Sequence, residues 1–197
     1  MDSLQNNIEG EINLKIFIDQ GHNPQNPNAG AEGFGLREQD ITYKIGVLLY
    51  ELLSANSNYQ AKLSRPFPDT QLGTSNSTSL AARVNAANEW GADYFLSLHC
   101  NASTSPSVSG SECYVYRENS YAYWMAERLL IGLNASTGLR NRGIFINKSF
   151  YVLRRTKMPA VLVEMGYISN EYDANLMNNR PELFAEGLYN GIISYFA

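Results

Sequence analysis

Two hydrophobic periods divide this chain. Residues 14–22 read Leu-Lys-Ile-Phe-Ile-Asp-Gln-Gly-His. A run of β-branched and aromatic residues closed by glycine predicts a buried strand. Over 37–55 the period lengthens, with Ile41, Ile45, Leu48 and Leu52 recurring at steps of three and four. That spacing predicts a helix with one face on a core. Continued back one turn, the stripe lands on Glu38. A helix start favours a carboxylate through its dipole, yet this one aims at the sheet rather than at water.

The alternation continues. Strands are predicted at 59–64, 94–99, 111–116 and 160–164, with a shorter one at 151–153. Helices are predicted at 80–90, capped by Thr78 or Ser79 and stopped by Gly91, at 120–134, at 170–177, and from Pro181 onward along Phe184, Leu188, Ile192 and Tyr195. The stretches 22–35, 65–79, 101–110 and 136–149 are rich in Asn, Ser, Pro or Gly and read as connections. Strands alternating with helices predict an α/β three-layer sandwich, with a mostly parallel or mixed sheet of about six strands covered on both faces. Residues 1–12 read as a polar tail or linker remnant and 13–197 as one domain.

Composition narrows the field. The 197 residues carry a formal net charge of −4, which argues against nucleic acid or an anionic membrane as partner. No apolar stretch reaches the roughly 20 residues of a membrane span, and the polar opening lacks the apolar core of a leader. Cys100 and Cys113 are too few for a disulfide framework. They leave both a single bridge and two buried thiols open.

Only two histidines are present, His22 and His99, and each closes a predicted strand. Ligands of open α/β sheets bind beyond the carboxyl ends of the strands. Two imidazoles and one carboxylate, here Glu38, form a common catalytic zinc sphere. A further carboxylate, Glu164 at the end of 160–164, suits general acid–base work, because desolvation there raises its pKa. Each residue also has an ordinary reading. A strand-end histidine is often a hydrogen-bonded structural group, Glu38 a favourable first-turn charge, and Glu164 an arginine's partner. Glu32, close behind His22, competes with Glu38 as third ligand.

Several ordered blocks together resemble the zinc-dependent N-acetylmuramoyl-L-alanine amidases of the Amidase_3 family. They are Ile18-Asp19-Gln20-Gly21-His22, Glu38, Leu63-Ser64-Arg65 with Asp69, the stretch 80–93, Ser97-Leu98-His99-Cys100-Asn101-Ala102, Asn141-Arg142-Gly143, and the run from Leu162 through Glu164 to Asn170. The resemblance implies that His22, Glu38 and His99 bind zinc and that Glu164 is the catalytic glutamate. It implies cleavage of the amide between muramic acid and L-alanine in peptidoglycan, outside the cell or in the wall, as by autolysins and endolysins. A monomer is expected. Asn23-Pro24 stands where the family commonly has a small pair, and Gln20 where it often has Ala or Pro.

Weaker assignments surround these. Asn101 either contacts substrate or supports the ligand loop. Arg142 meets a peptide carboxylate or the developing oxyanion, or else pairs with a surface glutamate. Arg65 and Arg83 read as structural. Three other functions stay open: another zinc peptidase or amidohydrolase on this scaffold, a non-catalytic wall-binding module, and a glycosidase using Glu38 and Glu164.

Overall fold

The computed structural model describes residues 13–197; the expected tail at 1–12 lies outside the described residues. The elements are β1 (Leu14–Gln20), β2 (Glu32–Gly33), β3 (Leu36–Arg37), α1 (Glu38–Ser54), β4 (Tyr59–Leu63), α2 (Asn76–Trp90), β5 (Tyr94–Asn101), β6 (Ser111–Val115), α3 (Tyr121–Thr137), β7 (Asn141–Ile146), α4 (Tyr151–Arg155), β8 (Ala160–Tyr167), α5 (Glu171–Asn179) and α6 (Pro181–Phe196). Six strands form one sheet in the order β4-β1-β5-β8-β6-β7. β4, β1, β5 and β8 run parallel, while β6 pairs antiparallel with β8 and parallel with β7. The sheet is therefore mixed, as one branch of the expectation had it.

Alternation along the strands sends side chains to two cores. Ile16, Ile18, Leu96, Leu98, Val161 and Val163 pack against α1, α3 and α6. On the other face Phe17, Phe95, Ala160 and Leu162 meet Val84 and Ala87 of α2 and Val152 and Leu153 of α4. Phe17 and Phe95 stack at 5.7 Å. Helix α4 has only 5 residues, so this second face is covered in part. His99, Glu112 and Glu164 emerge on this face, while Glu38 reaches the site from α1.

The stripe of α1 is legible with a drift in phase. Ile41 and Ile45 are buried, but Leu49 and Leu53 complete the buried row, with Leu48 and Leu52 at its margin. The buried row climbs in steps of four, each about 40° past a full turn of a 3.6-residue helix, so it winds slowly around α1. Other elements differ from expectation for local reasons. The 151–153 segment is helical, because Asn147 turns the chain by accepting from the N–H groups of Ser149 and Phe150. Val152 and Leu153 then face α2 as adjacent helical residues. The stretch 136–149 hides an edge strand, β7. Its signal is broken by Gly143 at a register shift opposite β6, and its side chains are half-exposed, so no apolar alternation shows. α2 begins a turn earlier than expected: Ser75 and Thr78 form a reciprocal capping box. The loop after His22 contains the small β2–β3 hairpin.

α3 and α6 touch through glycines. A Cβ on Gly132 would lie 2.1 Å from the Gly187 carbonyl oxygen, and one on Gly191 would lie 2.7 Å from that of Arg128. The helices approach backbone to backbone, and α3 has no room for a methyl group there. Gly132→Ala is expected to destabilise the fold by about 1–3 kcal/mol despite the better helix propensity of alanine. The check is a lower denaturant midpoint at unchanged slope.

Candidate metal centre and active site

Three elements deliver the central residues. β1 ends at Gln20, and Gly21 passes so close to β5 that a Cβ there would lie 2.5 Å from the His99 ring. His22 follows in the left-handed region, φ 66°, a strained conformation for a residue with a side chain. The turn is held from several sides. Thr42 Oγ1 donates to the Gly21 carbonyl at 2.9 Å. The buried Arg83 guanidinium donates to the His22 carbonyl at 2.5 Å, to that of Gln20 at 2.6 Å and to Asp19 at 2.6 Å. Burial raises the Asp19 carboxyl, but the Arg83 charge beside it and hydrogen bonds from Arg83 and Ser97 bring it below its ordinary value.

Glu38 opens α1 and is 3% exposed. Its Oε1 lies 3.2 Å from His22 Nε2 and 3.0 Å from His99 Nδ1, and it accepts from the Cys100 N–H at 2.9 Å. Its Oε2 accepts from the Ala31 N–H at 2.9 Å. Burial pushes this carboxyl up. The hydrogen bonds and charges of the two imidazoles outweigh it and hold the group far below the usual carboxylate range. The two rings stand 4.9 Å apart and nearly perpendicular, at 80°.

A metal ion fits this donor set. One ligand atom from each of His22, Glu38 and His99 lies within 4.8 Å of the others. Ligands about 2.0–2.1 Å from a tetrahedral ion sit about 3.3 Å apart; the two nitrogen–oxygen separations here are 3.2 and 3.0 Å. Glu32, the competing ligand, is exposed on β2. Gly30 presses on the centre, since a Cβ there would lie 2.7 Å from Glu38 Oε2.

Glu164 lies within β8 rather than at its end, because the strand continues to Tyr167. It is in register with His99 on one side and Glu112 on the other. Its Oε2 is buried with no hydrogen-bond partner. Burial first, and then the negative charges of Glu38 and Glu112, push its carboxyl well above the ordinary value. A cavity of about 250 Å³ brings His22, His99 and Glu164 together, walled by Leu80, Leu162 and the Phe150–Tyr151 end of α4.

The residue that sequence reasoning missed is Glu112. It is buried and accepts from four side chains: Asn101 Nδ2 and Tyr114 OH at 2.7 Å, Tyr167 OH and Arg142 Nε at 2.9 Å. Asn101 is thus drawn into support of this cluster, and Arg142 pairs with a buried glutamate rather than a surface one. An acid in the middle of an otherwise apolar strand was the available signal. Asn23 and Gln20, which depart from the family's pattern, are both buried. Asn23 fastens the His22 loop to the Pro27 and Leu72 carbonyls, and Gln20 donates to that of Arg65. Cys100 and Cys113 are free and buried, on strands separated by β8.

Fold and site define a three-layer α/β protein with a candidate metal centre beyond its parallel strands. The profile of Amidase_3, N-acetylmuramoyl-L-alanine amidase, matches residues 16–194. The chain belongs to that family. It is 35% identical to N-acetylmuramoyl-L-alanine amidase LytC of Bacillus subtilis (strain 168) over 99% of its own length, spanning 37% of that protein. It is 37% identical to N-acetylmuramoyl-L-alanine amidase CwlM of Bacillus licheniformis over 93% of its length and 69% of that protein's. Among solved structures, the catalytic domain of CwlV from Bacillus (Paenibacillus) polymyxa var. colistinus superposes with a TM-score of 0.80 at 31% identity, covering 93% of this chain and 98% of that one. An amidase of Clostridium difficile 630 gives 0.84 at 28% identity, covering 94% and 97%.

An acid that titrates higher in the folded than in the unfolded chain stabilises the fold at low pH, and that contribution is lost as pH rises through the folded value. Glu164 is such a group. Metal-stripped Glu164→Gln protein should therefore melt above the metal-stripped parent at mildly alkaline pH. The gap should close as pH falls toward about 4, where the unfolded glutamate is itself protonated. Calorimetric melts across that range check it.

Proposed function

We propose that the chain is a zinc-dependent peptidoglycan amidase acting at the cell wall, hydrolysing the amide between the lactyl group of N-acetylmuramic acid and L-alanine. The observation that carries this reading is the pairing of a three-donor N,N,O centre with a buried, unpartnered carboxylate oxygen in one cavity. Family membership and the amidase relatives support it.

His22, Glu38 and His99 would hold the metal. When bound, zinc supplies a Lewis acid for the amide carbonyl and lowers the pKa of a water from about 15.7 toward about 7. The protein's own share lies in placement and proton transfer. Arg83 and Thr42 fix the His22 turn, and the backbone N–H groups of Ala31 and Cys100 orient Glu38. Glu164 is the general base. With the Glu38 charge taken up by a cation, its carboxyl ionises more readily. It then accepts the proton of the attacking water and returns it to the departing nitrogen. Asn101 acts through Glu112, which it helps to hold. Arg142 is fixed by Glu112 and by the Tyr167 ring, 5.2 Å from its guanidinium carbon. Its side chain is still 29% exposed, which leaves N–H groups to receive a peptide carboxylate.

Protein purified without chelator is expected to carry one zinc per chain and to release new amino termini from walls. Glu164→Gln should keep the metal while losing about 10²–10⁴-fold in turnover, and His22→Ala should lose the metal itself. Metal analysis alongside amine release tests the assignment. Near-normal turnover in Glu164→Gln, or undiminished activity after thorough chelation, would overturn it.

A further inference from the structure

We propose that a groove on the far side of α4 from the catalytic cavity is a distal subsite for the wall polymer, holding carboxylates of the substrate beyond the scissile amide. The proposal rests on the amidase reading and extends it to how a polymer is held.

The groove has a volume of about 350 Å³, and its lining includes Arg117, Arg154 and Lys157 with Tyr116 and Tyr121, and no acidic side chain. No carboxylate among the described residues pairs with any of the three cations. Glu118, exposed on the turn after β6, does not line it. On a chain of net charge −4, three cations lining one groove with no carboxylate partner among the described residues attract anions. Tyr116 and Tyr121 are 41% and 63% exposed. They offer amphipathic ring faces of the kind that meet ligands with one apolar and one polar side.

Position ties the groove to the site. Leu162 walls the catalytic cavity and Ala160 the groove. The two share a face of β8 about 6.6 Å apart. α4 separates the two spaces: Tyr151 and Val152 face the cavity, Leu153 and Arg154 the groove. A five-residue helix is about 7.5 Å long, so about three extended residues of a substrate chain would cross it. The cavity alone is too small to hold a polymer. A chain leaving it over α4 arrives at the three cations.

The test removes the charges and leaves the cavity untouched. The Arg117→Gln, Arg154→Gln, Lys157→Gln triple variant is compared with the parent on two substrates. One is purified walls stripped of covalently attached phosphate polymers; the other is a soluble muramoyl-alanine peptide too short to cross α4. At low ionic strength the KM for walls should rise about ten-fold, with the difference shrinking at high salt, while kcat/KM for the short substrate stays unchanged. An unchanged KM on walls, or equal losses on both substrates, overturns the proposal. So does a KM that changes only when the same comparison is repeated on unstripped walls, which would assign the groove to their phosphate polymers. Co-sedimentation with stripped walls reads the groove without turnover. About ten-fold weaker binding by the variant upholds the subsite even if the parent cleaves nothing, an outcome that would sink the amidase reading alone.

Discussion

A buried carboxylate must be met by donors or cations, and Glu38 is met by both. Its two oxygens gather two imidazole nitrogens and two backbone N–H groups. These reach it from the β1 turn, the 30–31 loop and the end of β5, the last some 61 residues further along the chain. The helix that carries Glu38 also carries Gln39, whose amide oxygen accepts from the Gly30 N–H, and Thr42, which secures Gly21. The first turn of α1 thus serves as a fixed template against which the loop after β1 is folded.

That loop has a second anchor underneath. Arg83 and Asp19 form an ion pair with both side chains about 1% exposed. Burying such a pair gains little stability compared with an apolar replacement. What it contributes here is direction. With one oxygen of Asp19 on Arg83 and the other on Ser97, the guanidinium is left with N–H groups for the carbonyls of Gln20 and His22. The strained backbone of His22 persists because its surroundings over-determine it.

How far the sequence carried the reading can be traced residue by residue. The α1 stripe aims Glu38 inward, and the apolar runs before His22 and His99 place one imidazole just past β1 and the other inside β5, two residues before that strand ends at Asn101. These signals are periodic, so they survive without tertiary information. The apolar run puts Glu164 at its end, but β8 continues past it to Tyr167, a continuation hidden behind Gly166 and Tyr167. α4 and β7 were lost because one is too short to show a helical period and the other is a half-exposed edge broken by Gly143. Glu112 was missed for a different reason: its meaning depends on which strand lies beside β6 and in which direction. Arg83 had a signal, a lone cation next to the inward stripe of Leu80, Val84 and Ala87, which calls for a buried acid. Only the sheet order reveals that the acid is Asp19.

The reversal of β6 has a consequence for what this scaffold tolerates. Antiparallel pairing sets Glu112 opposite Glu164 and Tyr114 opposite Leu162, and strand side chains alternate faces with a period of two. A slip of one residue in the pairing of β6 with β8 would turn the whole strand over. The glutamate would be sent into the apolar layer beneath α3, and Cys113 would be brought up among polar groups. The connection leading into β6 can drift in composition, but the phase in which it hands the chain to the sheet cannot slip. In that sense the alignment of two neighbouring strands decides what surrounds Glu164.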